Sequence, residues 1–260
     1  MERKIGSVSY AEEGSTVVIT ICRPEVRNCV DRGTAENLAE AFRRFEEDES
    51  LAVAILTGAD GCFCAGADLK AVARGGGNRI DLEGDGPMGP TRMLLEKPVI
   101  AAVEGFAVAG GLELALWCDL RVASRDATFG VYCRRWGVPL VDGGTVRLPR
   151  IVGQGVAMDM ILTGRGVSGE EAERVGLVSR LVEPGSALAG ARALATELAG
   201  FPQRCMRADR LSALRQWSLD PDVALTEESR GGLAVIRSGE TQEGAGRFAA
   251  GLGRHGRFSD

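Results

Sequence analysis

Histidine is almost missing from this chain: His255, close to the C-terminus, is the only one in 260 residues. A Cys–His nucleophile pair therefore has no partner in the body of the sequence, and zinc loses its usual nitrogen ligand. Lysine is nearly as scarce, with Lys4, Lys70 and Lys97 alone, so arginine carries the positive charge. The balance is acidic, with a net charge of -5, which argues against a nucleic-acid partner because such proteins present a basic face. Long uncharged apolar runs are absent too. The most apolar stretch, residues 99–117, carries Glu104, Glu113 and several glycines, which a bilayer span tolerates poorly. The opening MERKIGSVSYAEEG has no apolar core of a secretory signal, so the expected location is the cytoplasm. Cysteine is present seven times, an odd number scattered through apolar segments, which suits reduced thiols rather than disulfides. Cys62 and Cys64 form a CxC without a second ligand pair at zinc spacing, and no metal site is expected.

What is present is a globular balance, 45% apolar and 26% charged, on a length suited to one large domain or two small ones. Residues 16–22 (TVVITIC) are a β-branched run stopped by Arg23-Pro24, and they predict a strand. Leu38, Phe42 and Phe45 recur at helical spacing within residues 34–48. Residues 51–57 (LAVAILT) and 98–103 (PVIAAV) are continuous apolar strands of the kind buried on both faces of a sheet. A short helix is predicted over 111–118, short strands over 120–123 and 127–130, and a last strand over 177–182. Ser168-Gly169-Glu170-Glu171 reads as a capping box opening a helix that Gly176 closes. From residue 186 onward the character is helical, with breaks at Phe201-Pro202 and Asp220-Pro221. Strand, strand, helix, repeated, predicts an α/β fold with covered sheets.

Two glycine-rich loops each follow a buried strand: FCAGADLK at 63–70 and EGFAVAGGLE at 104–113. Small residues let backbone amides approach a ligand, and two convergent N–H groups are what a developing oxyanion needs. Tight packing at strand-to-helix turns explains the same composition. Neither loop matches a P-loop or a clean G-x-G-x-x-G, so phosphate-cradling nucleotide chemistry has no support here.

Four segments in order, RPEVRNCVD, FCAGADLK, EGFAVAGGLELALWCDLRVAS and FG…GVP…GGTVRLPRIVG, resemble the crotonase superfamily, the enoyl-CoA hydratases and isomerases. The resemblance implies a spiral of repeated ββα units over residues 1–200 and a C-terminal helical region, 201–260, used for trimerisation. It implies a homotrimer, or a hexamer built as a dimer of trimers. The implied substrate is an acyl-CoA thioester, with no cofactor beyond the coenzyme A that the substrate carries. The thioester oxygen would sit between the backbone amides of Ala67 and Gly110, each such donor contributing about 3 to 4 kcal/mol.

Hydratases of this superfamily use two glutamates. The first matches Glu113, which as an acid in the first turn of a helix also has a plain dipole-based explanation of about 0.3–1 kcal/mol. The second falls where this chain has Cys133, and a neutral thiol cannot replace a carboxylate in activating water. Asp142, in VDGGT, resembles the position of a functional aspartate in dienoyl-CoA isomerases and 4-chlorobenzoyl-CoA dehalogenases, although Asp-Gly is also a common turn. Ala65, Asp68, Leu69 and Lys70 match the loop lining the adenine and pantetheine path, Arg27 the approach to the CoA phosphates. Tyr132, Cys133 and Trp136 would wall the acyl pocket. Three readings stand: hydration or isomerisation by Glu113 with Asp142; another enolate reaction, such as thioester hydrolysis, decarboxylation or carbon–carbon cleavage; or a non-catalytic acyl-CoA carrier or sensor.

Overall fold

A computed structural model describes residues 2–253, and His255 lies outside them. Residues up to Leu198 form one compact unit and those from Ala199 a second. The elements of the first unit are β1 (Glu2–Ile5), β2 (Val8–Glu13), β3 (Thr16–Ile21), α1 (Arg32–Glu47), β4 (Val53–Gly58), α2 (Leu69–Ala73), β5 (Val99–Val103), β6 (Phe106–Val108), α3 (Gly110–Trp117), β7 (Leu120–Ser124), β8 (Thr128–Gly130), α4 (Gly144–Thr163), β9 (Gly166–Ser168), α5 (Gly169–Arg174), β10 (Arg180–Val182) and α6 (Ala187–Ala199). Strand, strand and helix recur as β5–β6–α3 and β7–β8–α4, the ββα rhythm of a crotonase-type spiral.

The strands form two sheets, one of seven in the order β1-β2-β3-β4-β5-β7-β10 and one of three in the order β6-β8-β9. From β3 to β10 the larger sheet is parallel, so its inner strands are covered on both faces. That is why β4 and β5 are unbroken apolar runs: every residue of β5 and the first five of β4 are buried. Helix α1 buries Leu38, Phe42 and Phe45, the stripe its spacing predicted, and Asp31 caps it by accepting from the Thr34 amide. Ser168 caps α5 by accepting from Glu171 N at 3.2 Å, as its capping box predicted.

Several features depart from the sequence expectations, among them the short strands β6 and β9 and helix α2, and three have a clear physical reason. The β1–β2 hairpin was not foreseen, because β1 (ERKI) is exposed and polar and is held by its ladder to β2. Helix α4 was hidden by Gly144, Pro149 and Gly153, and at Gly153 (φ 78°, ψ 157°) the helical path is in fact interrupted. The predicted strand 177–182 shrinks to β10, because the amides of Leu177 and Val178 both bond Ala172 O at the end of α5.

The second unit consists of α7 (Gln203–Arg215), α8 (Pro221–Arg237) and α9 (Glu240–Ala249), with the expected proline at the start of α8. Among the described residues, no helix is long and apolar enough to cross a membrane.

Candidate functional site

Residues 63–68 form a short extended segment between two others. On one side Cys64 N bonds Phe106 O at 2.8 Å and Val108 N bonds Cys64 O at 3.1 Å, joining it to β6; on the other Val30 N bonds Gly66 O at 2.8 Å and Asp68 N bonds Val30 O at 3.0 Å. The Asp68 amide goes to the ladder and the Gly66 amide to Cys64 Sγ at 3.3 Å, but the N–H of Ala67 has no acceptor among the described residues. The second loop leads β6 into α3 through Ala109, whose φ of 54° and ψ of −124° are costly for a residue with a Cβ. That turn makes Gly110 N–H the first amide of α3, and it too has no acceptor among the described residues. Gly66 brings the two loops together. Its φ is +98°, and a Cβ there would lie 3.0 Å from Gly110 N and 2.9 Å from Ala109 Cβ.

Ala67 and Gly110 line one cavity of about 510 Å³ together with Glu113, Cys133 and Asp142. Its other walls are largely apolar, among them Val108, Val138 and Val141, the usual make-up of a pocket for an organic ligand. Arg27, Ala65, Leu69, Tyr132 and Trp136 also line it, Trp136 at the rim with 70% of its surface exposed. The Arg27 guanidinium lies over the Phe106 ring, 5.5 Å from its centroid. Asp68 and Lys70, expected on the ligand path, are not among the residues lining the cavity. Asp68 instead caps α2, accepting from Lys70 N at 3.0 Å and Ala71 N at 3.2 Å, and pairs with Arg23 at 3.0 Å. Lys70 is exposed on α2. Among the described residues, no group of three or more His, Cys, Asp or Glu side chains is placed to hold a metal.

The two acids are buried to 2% and 3% exposure, Glu113 and Asp142 respectively. Oε1 of Glu113 accepts from Asp142 N at 2.9 Å and Gly144 N at 2.8 Å, tying α3 to the loop before α4. Burial nevertheless dominates: it pushes the Glu113 carboxyl up to about 7, with the neighbouring Asp142 charge adding to the rise. Oδ1 of Asp142 accepts from Met88 N at 2.9 Å and from the Thr91 hydroxyl, and burial raises its carboxyl too, against those bonds and the charges of Arg92 and Arg147. A carboxyl poised near neutrality, beside another and two unbonded amides, can exchange a proton while a nearby oxygen gains charge.

Cys133 is 6% exposed, and burial together with the Glu113 charge pushes its thiol up, so it stays protonated. Cys133→Ala is expected to change turnover by less than about threefold, which steady-state kinetics on an acyl-CoA substrate would check; loss of activity would mean a chemical role for the sulfur. Met88, Thr91 and Arg147 were missed from the sequence. Met88 and Thr91 sit in or beside a glycine-laden stretch without periodicity, and Arg147 only in the GGTVRL motif offered any signal.

The Enoyl-CoA hydratase/isomerase family matches residues 11–251. The chain belongs to that family. It is 35% identical over 243 residues to the enoyl-CoA hydratase EchA19 of Mycobacterium tuberculosis, covering 91% of each chain. It is 39% identical over 195 residues to the carnitinyl-CoA dehydratase of Proteus mirabilis, covering 74% of each. The crystal structure of an enoyl-CoA hydratase from Mycobacterium tuberculosis H37Rv superposes with a TM-score of 0.89 at 39% identity, over 94% of this chain and 96% of that one. The family's crotonase-type fold and acyl-CoA chemistry thus come with the architecture above.

Proposed function

We propose that the protein moves a carbon–carbon double bond along an acyl-CoA by proton transfer through a thioester enolate. The observation that carries this is the joint placement of two buried carboxylates, Glu113 and Asp142, in the cavity that Ala67 and Gly110 line. Taking a 3-enoyl-CoA to the conjugated 2-enoyl-CoA breaks a C2–H bond, spreads the charge onto the thioester oxygen, and forms a C4–H bond. The Ala67 and Gly110 amides hold that oxygen. One carboxylate takes the C2 proton and the other delivers a proton to C4. Glu113, with its carboxyl near 7, exchanges protons in either direction at neutral pH. No group beyond the coenzyme A of the substrate enters this scheme. The assay is the absorbance of the conjugated thioester appearing from a 3-enoyl-CoA. Asp142→Asn is expected to slow it by about a hundredfold or more with Glu113 intact. Full activity in both Glu113→Gln and Asp142→Asn would sink the assignment.

Hydration of the 2-enoyl-CoA is the second reading, favoured by the hydratase and dehydratase names of the relatives. It requires Asp142 to orient water where Cys133 replaces the usual second glutamate. The same assay separates the two, because hydration removes the conjugated absorbance of crotonyl-CoA. Tight binding without turnover in either direction would instead favour a carrier or sensor. For the assembly we propose a homotrimer through the helices of the second unit, which expose Leu225, Ile236 and Phe248; light scattering in solution reads its mass.

A further inference from the structure

Arg147 reaches back from the first turns of α4 with both ends of its guanidinium occupied. Nη1 donates to Asp142 O at 2.8 Å and Nη2 donates to Thr91 O at 2.7 Å. Thr91 in turn gives its hydroxyl to the Asp142 carboxylate, so Arg147 closes a ring through Asp142 and Thr91. The Asp142 amide continues the chain to Glu113 Oε1. The absence of a side chain at Gly143 leaves space for this guanidinium. Gly143 has a φ of +94°, and a Cβ there would fall 2.1 Å from Arg147 Nη1. Two carbonyls held by one planar fork fix both segments in a way a flexible ammonium cannot.

From this geometry we infer that Arg147 is a positioning residue for the acyl-CoA reaction: it locks Asp142 against Thr91 and sets the charge balance of the Glu113–Asp142 pair without touching substrate. Arg147 does not line the cavity, which separates it from a ligand-binding arginine. Of the charged groups around the pair, Arg92 and Arg147 act on Asp142, and Arg147 and Asp142 act on Glu113. Glu113 acts on Cys133, and Cys118 and Arg150 act on Arg147 itself. Arg147 is the cation common to both acids.

This inference rests on the proton-transfer reading above, and its test is the pH profile of kcat/KM in two variants. Removing a nearby positive charge makes a carboxylate harder to ionise, so Arg147→Gln should move the acid limb measurably upward. It should also lower kcat about tenfold or more while KM changes less than threefold. Arg147→Lys should return the limb to its wild-type position and recover only part of kcat, because one ammonium does not replace two fixed bonds. An unmoved limb in Arg147→Gln, or a displaced limb in Arg147→Lys, would overturn the inference. If Arg147→Gln does not fold, Arg147→Lys alone decides: a wild-type limb with lowered kcat supports it, and any other profile does not. A failure here, with Glu113→Gln still inactive, leaves the proton-transfer reading standing. Full activity in Glu113→Gln and Asp142→Asn removes that reading instead.

Discussion

Glu113→Gln is expected to lower turnover by about a thousandfold while removing a loss of stability between about pH 4.5 and pH 7. The amide keeps the oxygen that accepts from Asp142 N and Gly144 N, so the tie between α3 and the loop before α4 survives. What disappears is the exchangeable proton. The effect on stability has a definite sign. Burial raises the Glu113 carboxyl from 4.5 in a free chain to about 7 when folded. Between those values the native state holds the proton more tightly than the unfolded one, so stability falls as pH rises from about 4.5 to about 7 and is then level. At 1.36 kcal/mol per unit the wild type should lose up to about 3 kcal/mol more than Glu113→Gln between pH 5 and pH 8. Denaturant unfolding of both proteins at the two pH values measures the difference. An equal loss in both would mean that the carboxylate is solvated in the native state. Loss of activity with gain of alkaline stability is the pattern of a residue kept for chemistry at a cost to the fold.

Gly66→Val should be nearly as damaging, with turnover lowered about a hundredfold to a thousandfold, the range for loss of one oxyanion donor. The side chain would be forced into a φ of +98° and against Ala109 Cβ and Gly110 N, pushing apart the two loops that carry Ala67 and Gly110. Neither carboxylate is touched, so the pH profile should keep its shape while its height drops. Circular dichroism and the unfolding midpoint separate this local effect from loss of the fold. Near-wild-type turnover in a folded Gly66→Val would mean that the spacing of the loops is irrelevant to the reaction.

Much of this was legible in the residues because the physics behind it is local. The apolar runs of β4 and β5, the stripe Leu38–Phe42–Phe45 and the Ser168 cap each depend on a few neighbouring positions, and all appear where expected. The loops carrying Ala67 and Gly110 were also legible, since glycine-rich turns after buried strands leave a compositional mark. The wall of the site facing Asp142 was not. Thr91 and Met88 reach it across about fifty residues, through bonds that leave no periodicity in the chain. Asp68 and Lys70, in a familiar motif, have side chains that serve the start of α2 and solvent and do not line the cavity. At Cys133 the departure from a second glutamate was legible, and burial raises the thiol there.

Everything proposed for the reaction depends on where the thioester oxygen lies, and a crystal structure with a bound acyl-CoA observes it directly. The account predicts that oxygen about 2.7–3.1 Å from both Ala67 N and Gly110 N, with the acyl carbons between Glu113 and Asp142. A thioester carbonyl bonded to other groups, or an acyl chain lying away from the two carboxylates, would contradict it.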